Sequence, residues 1–306
     1  MTRCSGSSTA AARARPSISV FPPAPAIVVI SDVDTTFDRS AFAELLGYFA
    51  DPRVGAVSGS LGVRNASASL ITRHQAIEYA IGIALGRIVQ DSLGILSIVS
   101  GAFGAFRRAA LEQVGGQDVE VGEDADLTMK LRRAGWRIRF APDAHALTDA
   151  PETVSALIAQ RLRWDRGLIT IWIRKYRSVF DPRQSTFRLI DVAALVDMIV
   201  FQVLLALAFP VYLFWLFYYF GGLAGTILAA TLVGLVVLNL VSFVAAAAIG
   251  VETPFRFVLY LPLYTILQLS LMRVVRIIAF TQEFIFRSSY RDPYVPARVM
   301  SQVEMV

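Results

Sequence analysis

Ala26-Ile27-Val28-Val29-Ile30-Ser31-Asp32-Val33-Asp34 is the stretch on which the fold turns. A short, β-branched apolar run reads as a buried strand. Here it ends abruptly on two carboxylates at i and i+2. A chain leaving a strand need not keep such a pair on opposite faces, so Asp32 and Asp34 can converge on one divalent cation. A capping or turn pair is the plainer reading of the same residues, and the triplet alone does not choose between the two.

Downstream of this strand, strand and helix signals alternate. A helix is predicted over about Ser40 to Ala50, with Asp38 as N-cap and Phe42, Leu45, Leu46 and Phe49 at helical spacing. Val54 to Val57 reads as a strand, Leu70 to Gln90 as a helix, and Ile95 to Val99 as a strand. The last leads into the glycine-rich Ser100-Gly101-Ala102-Phe103-Gly104. Ala125 to Ala134 is a helix stopped by Gly135, Arg137 to Phe140 a strand, and Pro151 to about Tyr176 a long helix with proline at its start. This alternation predicts an α/β layer fold. Residues 1–25 are rich in Ser, Ala, Arg and Pro and lack both an acidic residue and an apolar core. They are not a secretory signal and are expected to be disordered.

The bulk composition points elsewhere. Of 306 residues, 55% are hydrophobic and only 17% charged, with a mean hydropathy of +0.56. Soluble domains carry about a quarter charged residues, so the deficit argues against an ordinary soluble enzyme. It has a location: Met198 to Val251 contains no Asp, Glu, Lys or Arg. At about 20 residues per crossing this is room for two spans, about Val192 to Phe220 and Leu223 to Gly250, separated by Gly221-Gly222. The first ends in Tyr212, Trp215, Tyr218 and Tyr219, as an interfacial aromatic belt would, and Pro210 is a candidate kink. Phe257 to Met272 is also uncharged, but it is shorter than one crossing and is followed by Arg273 and Arg276. It therefore reads as a third, partial span or an interfacial helix. Basic residues flank both ends, at Arg174, Lys175, Arg177, Arg183 and Arg188 and at Arg287, Arg291 and Arg298. The positive-inside rule then favours an even number of full crossings with both ends cytoplasmic. Three crossings with the tail outside is the alternative.

The net charge of +5 does not point to nucleic acid. Lysine occurs only at Lys130 and Lys175, and there is no polybasic run. With one cysteine, Cys4, and two histidines, His74 and His145, a Cys- or His-built metal site is improbable. A bound metal would be a hard, oxygen-preferring ion such as Mg²⁺ or Mn²⁺.

Two further sites carry chemistry. Gly122-Glu123-Asp124 precedes a helix, where acidic residues favour the N-terminus electrostatically; one carboxylate could also serve as a general base. Gln160, Arg163 and Trp164 lie at i, i+3 and i+4 of the long helix and share a face. An amide, a guanidinium and an indole there suit a diphosphate and a sugar. The competing reading is an amphipathic membrane-surface helix, with Leu157, Ile158, Leu168, Ile169, Ile171 and Trp172 as its apolar face.

In this order, Asp32-Val33-Asp34, Ser100-Gly101-Ala102-Phe103, Glu123-Asp124, Gln160…Arg163-Trp164 and then apolar helices, the chain resembles the membrane-bound family 2 glycosyltransferases. These are the group of cellulose, chitin, hyaluronan and poly-N-acetylglucosamine synthases. The resemblance covers about residues 26 to 190 and includes Asp51-Pro52-Arg53-Val54-Gly55-Ala56-Val57 and Ala150-Pro151-Glu152-Thr153. It implies a GT-A-like domain and an inverting, processive transfer of sugar from a UDP-sugar to a polysaccharide or oligosaccharide acceptor. By the same resemblance Asp32 and Asp34 would hold Mg²⁺ or Mn²⁺ and the diphosphate. Asp124 would be the base, with Glu123 beside it. Gln160, Arg163 and Trp164 would close over the diphosphate and the acceptor end, and Gly101, Ala102 and Phe103 would lie by the acceptor. The family's T-E-D has Gly122 in place of its threonine here. Ala105-Phe106-Arg107-Arg108 and Pro151-Glu152-Thr153 resemble N-acetylglucosamine polymerases more than cellulose synthases.

The expected organisation is a disordered segment over 1–25, the C-terminal part of the GT-A-like domain over 26–150, and an interfacial helix region over 151–190. Membrane helices follow over 191–281 and a tail over 282–306. The catalytic part would face the cytoplasm at the cell (inner) membrane, against the lipid bilayer and alongside any other synthase subunits. The family's catalytic domain starts well before its D-x-D, and Asp32 is the first acidic residue here. The resemblance therefore also implies an incomplete sheet and a truncated or mis-started product that is inactive alone. A non-catalytic membrane subunit that partners an intact synthase is the second reading.

Overall fold

The computed structural model describes residues 26–118, 121–183, 187–251 and 255–291. The expectations for residues 1–25 and for the tail beyond residue 291 lie outside these. The first apolar run is β1 (Ile27–Ser31). Next come β2 (Thr36–Phe37), α1 (Ala41–Gly47), β3 (Val54–Val63), α2 (Leu70–Glu78), α3 (Gly86–Ser92), β4 (Phe103–Arg107), α4 (Arg108–Val114), α5 (Glu123–Arg133), β5 (Arg137–Thr148) and α6 (Val154–Ile169). The five strands form one mixed sheet in the order β1-β4-β3-β5-β2. Among the described residues only β3 and β5 run parallel; the other pairs are antiparallel.

Strand and helix ends depart from the sequence reading for local reasons. β3 continues past Val57 through Ser58-Gly59-Ser60, because small residues let a ring in: a Cβ on Gly59 would stand 2.1 Å from the Phe103 ring. β5 continues past Phe140 through a register shift between Gly59 and Ser60, a bulge that accommodates Pro142 without a ladder hydrogen bond. Ile95 to Val99 is not a strand. Its backbone is irregular and is satisfied by side chains, with the Val99 N–H donating to Thr128 Oγ1 at 2.9 Å. The sheet position falls instead to Phe103–Arg107.

Asp38 does not cap α1. Ser40 occupies the cap position, with no side-chain bond. α2 opens on a capping box between Ser69 and Thr72 and reaches α3 through a π-helical segment, Tyr79–Leu85. α5 starts at Glu123, two residues before Ala125, because Gly122 turns the chain in the left-handed region (φ 87°). α6 starts at Val154 with Thr153 as its cap, Oγ1 accepting the Ala156 N–H at 3.2 Å, so Pro151 stands outside the helix.

Apolar residues alternate between the two sheet faces. Ala56, Phe106, Ile138 and Phe140 pack with Ala110, Leu127 and Leu131 from α4 and α5. Val57, Phe103 and Ala105 pack with Ala41 and Leu45 from α1. A further cluster joins Ala125 and Met129 of α5, Ile169, Trp172 and Tyr176 at and beyond the end of α6, and Leu195, Ala279 and Phe280 from the apolar helices. The apolar helices thus share a core with the elements that carry the conspicuous carboxylates.

These helices are α7 (Leu189–Met198), α8 (Leu205–Phe220), α9 (Ala224–Ala248), α10 (Leu261–Leu267) and α11 (Arg273–Phe286). Two helical runs, Leu189–Ala248 and Phe255–Phe286, are long and apolar enough to cross a membrane, and only 6% of the first run's most apolar stretch is buried in the protein. Gly221 (φ 50°, ψ −120°) breaks the first run at the point the sequence indicates. The second run does not end at Met272. It continues through Arg273 and Arg276 to Phe286, because Arg276 pairs with Asp165 of α6 at 3.4 Å.

Candidate active site

Asp32 and Asp34 leave β1 on a turn closed by the Thr35 N–H donating to the Asp32 carbonyl at 3.2 Å. The Asp32 N–H donates to the Ala102 carbonyl at 3.4 Å, which ties this turn to the Ser100–Phe103 turn. Arg64, one residue past β3, holds the other end. Its Nη1 donates to the Asp34 carbonyl at 2.8 Å, while Nε and Nη2 grip the two Asp149 oxygens at 3.0 and 2.5 Å. Surrounding protein and the like charge of Asp34 raise the Asp32 pKa, and the positive charge of Arg163 pulls it back down.

Glu123 and Asp124 open α5. The Asp124 Oδ1 accepts the Ala125 N–H at 2.7 Å. Burial raises the Asp124 pKa, against the lowering effect of the backbone N–H groups of Ala125 and Gly101 and the charge of Arg87. Burial and then the Asp124 charge raise Glu123, and Arg163 again opposes. Arg163 of α6 therefore stands within electrostatic reach of both Asp32 and Glu123. Residues of three separated motifs thus lie within electrostatic reach of one guanidinium.

The fit between α5 and α6 rests on two glycines. A Cβ on Gly122 would meet the Gly167 backbone at 3.3 Å, and a Cβ on Gly167 would meet the Gly122 nitrogen at 3.1 Å. With φ at 87° and backbone against backbone, a threonine at position 122 would be strained. This gives the departure from T-E-D a local packing reason.

Trp164 is 37% exposed, while the Gln160 Oε1 is buried and has no hydrogen-bond partner among the described residues. Gly101 and Ala102 form the turn beside Asp32 and Asp124. Phe103 was expected at the acceptor, but its ring is fully buried against Phe37 and Phe42 at 4.8 and 5.9 Å. The ring anchors the loop from below, and its side chain does not reach the surface. The alternation of β4 put its side chain inward.

Arg64 and Arg87 are functional candidates that sequence reasoning passed over. Arg87 of α3 donates to the buried Ser58 Oγ at 3.3 Å, which also accepts the Ser100 N–H at 3.3 Å. No short motif marks either arginine, because only the folded sheet brings them to the carboxylates. Among the described residues no group of three or more His, Cys, Asp or Glu side chains forms a metal cluster. Two carboxylates suit a hard ion that keeps waters and diphosphate oxygens as its other ligands, and the repulsion between Asp32 and Asp34 is what such an ion relieves.

A mixed sheet layered by helices, with carboxylates at strand and helix ends, is the GT-A-like fold that the sequence resemblance implies. The chain belongs to the glycosyl transferase family group 2, whose model matches residues 27–269, and it is by family a glycosyltransferase. It is 33% identical over 159 residues to a poly-beta-1,6-N-acetyl-D-glucosamine synthase of Staphylococcus aureus, covering 51% of this chain and 38% of that protein. The synthase of the same name from Staphylococcus epidermidis is 32% identical over the same length. The chain thus spans well under half the length of these curated relatives. A solved mannosyltransferase from Pyrobaculum calidifontis, in complex with GDP-Man and Mn²⁺, shares the fold with a TM-score of 0.51 at 21% identity. The match covers 85% of this chain and 62% of that one.

Proposed function

We propose that this chain carries the transfer chemistry of a membrane polysaccharide synthase, moving N-acetylglucosamine from a UDP-sugar to the end of a growing glycan. The observation that carries the reading is that the charge of Arg163 reaches both Asp32 and Glu123, with Asp124 next to Glu123 and under the charge of Arg87. In this reading Asp124 takes the proton from an acceptor hydroxyl. The freed oxygen attacks the anomeric carbon from the face opposite the diphosphate, the bond from that carbon to the diphosphate oxygen breaks, and the sugar's configuration inverts. Arg163 balances the negative charge that builds on the diphosphate. Asp32 and Asp34 would hold Mg²⁺ or Mn²⁺, which when bound supplies further neutralisation of the same oxygens. Arg64 holds the Asp34 turn and Arg87 favours the ionised form of Asp124. The names of the staphylococcal relatives support the choice of N-acetylglucosamine.

The helices Leu189–Ala248 and Phe255–Phe286 would hold this layer at the lipid bilayer, with the sugar-transfer domain over 26–150, its interfacial helix region over 151–190 and the membrane region from 191 onward. The shared core of α5, α6, α7 and α11 supports that arrangement. The retention of every carboxylate and of Arg163 in one place supports catalysis over the role of a non-catalytic subunit.

The test is incorporation of labelled N-acetylglucosamine from UDP-N-acetylglucosamine by the membrane-embedded chain, with Asp124→Asn beside it. Loss of about 10²–10⁴-fold in transfer with UDP-sugar affinity retained is expected. Transfer by the variant at the unaltered rate removes Asp124 from the role of base.

A further inference from the structure

Arg161 lies inside the Gln160…Trp164 motif, between the residues that face the site. It is 8% exposed, although its neighbour Trp164 is 37% exposed. The Arg161 Cζ lies 4.2 Å from the centroid of the Trp164 ring, and its Nη2 donates to Glu78 Oε2 of α2 at 2.6 Å. Both side chains of this pair are largely withdrawn from solvent, at 10% and 15% exposure. A guanidinium so placed stacks by its face on the indole and bonds by its edge to the carboxylate. His74, also on α2, is buried against Tyr264 of α10 with ring centroids 5.2 Å apart. Neither of its ring nitrogens has a hydrogen-bond partner among the described residues, so it does not bond Glu78. Glu78 is the last residue before the π-helical turn Tyr79–Leu85, so the pair fixes α6 to a defined point on α2.

We propose that Glu78 and Arg161 are positioning residues for the acceptor: the buried ion pair clamps the Arg161 guanidinium against the Trp164 indole and holds the exposed part of that ring still as a platform for a sugar of the growing glycan. The pair spares Trp164 the loss of rotamer freedom on binding, which an ordered platform has already undergone. This inference rests on Trp164 as an acceptor contact, and the experiment separates the two.

The full chain in detergent is labelled with 5-fluorotryptophan. Its 4 tryptophans give four ¹⁹F resonances, and Trp164→Phe assigns one. The double variant Glu78→Gln/Arg161→Met removes both charges together, which a buried site tolerates better than one orphaned charge. It is expected to move the Trp164 resonance and leave the other three. Binding of a β-linked N-acetylglucosamine pentasaccharide is expected to weaken roughly two- to tenfold, the cost of ordering one side chain on binding, with UDP binding unchanged. Arg161→Lys keeps a cation over the ring and recovers part of that affinity. An unmoved Trp164 resonance, or unchanged pentasaccharide affinity in the double variant when Trp164→Ala abolishes it, overturns the positioning role. Unchanged affinity in Trp164→Ala itself overturns the acceptor reading and the proposal with it, and the ¹⁹F spectrum then shows whether the pair holds the ring at all.

Discussion

At the scale of single residues, the site is governed by charges placed around Asp124. Burial raises its pKa, and Arg87 is among the groups that oppose this. Activity that needs the ionised base is lost as pH falls through that raised value, so the acidic limb of the transfer profile should lie above the ordinary aspartate range. Arg87→Met removes an opposing charge and is expected to move this limb to higher pH, while leaving the alkaline side in place; a pH–rate profile of both proteins measures it. Glu123 allows a stability test with a definite sign. Its folded pKa is raised, so its ionisation opposes folding once pH exceeds the unfolded value. Glu123→Gln should therefore raise the unfolding temperature near neutral pH. The gain should vanish in acid, where Glu123 is already protonated, and a thermal unfolding series across pH shows whether it does. Gly122 is fixed by backbone geometry: Gly122→Thr should cost about 1–3 kcal/mol from its left-handed φ and from contact with Gly167, read in denaturant unfolding.

At the scale of elements, α6 is the hub. Gly167 packs closely beside Gly122 at the N-cap of α5, Arg161 pairs with Glu78 of α2, and Asp165 pairs with Arg276 of α11. A helix clamped on three sides can present Arg163 and Trp164 with little freedom, which is what positioning for transfer requires. The first apolar helix is tied in by a different lock. Arg132 of α5 donates to Asp191 Oδ1 at 2.7 Å, with both side chains under 5% exposed, and also to the Leu96 carbonyl at 3.1 Å. Asp191→Ala would leave a buried guanidinium half-paired and should cost about 3–5 kcal/mol, measured by unfolding in detergent. Arg132→Met/Asp191→Leu together should cost much less. The same lock bears on the reading of Ile95 to Val99. Its apolar β-branched run satisfies strand propensity, but its polar groups are bound by Thr128, Gln90 and Arg132, and tertiary partners override propensity.

At the scale of the whole molecule, the charge deficit and the site belong to different parts that share one core cluster. The break at Gly221 divides the long apolar run into α8 and α9, so the Gly221-Gly222 turn should lie on the side of the bilayer opposite the sugar-transfer layer. Gly222→Cys in a Cys4→Ser background should react with a membrane-impermeant maleimide only from that opposite side. Labelling from the catalytic side would mean that the hairpin does not cross. The second run is held along α6 by Arg276 and by the Thr170 Oγ1 bond to Glu283 at 3.0 Å, while Val274, Ile278, Phe284 and Ile285 remain exposed. One face packs on the domain and the other is apolar, as for a helix lying at a membrane surface.

The sequence by itself determined the strand that ends on Asp32 and Asp34, a helix just after Asp124, the helix bearing Arg163, the place of the apolar run and its break. Each is a local signal: β-branched residues in series, helical spacing, an absence of charge, a glycine pair. It also carried the family, through the order of motifs. Only the tertiary structure decided that the charge of Arg163 reaches both Asp32 and Glu123, that Arg64 bonds the Asp34 carbonyl, that the charge of Arg87 reaches Asp124, and that Phe103 points inward. It decided too that the third apolar stretch continues along α6. These depend on side chains from distant parts of the chain meeting across a sheet and between helices, and burial and charge pairing act on the assembled surfaces rather than on the spacing of residues along the chain.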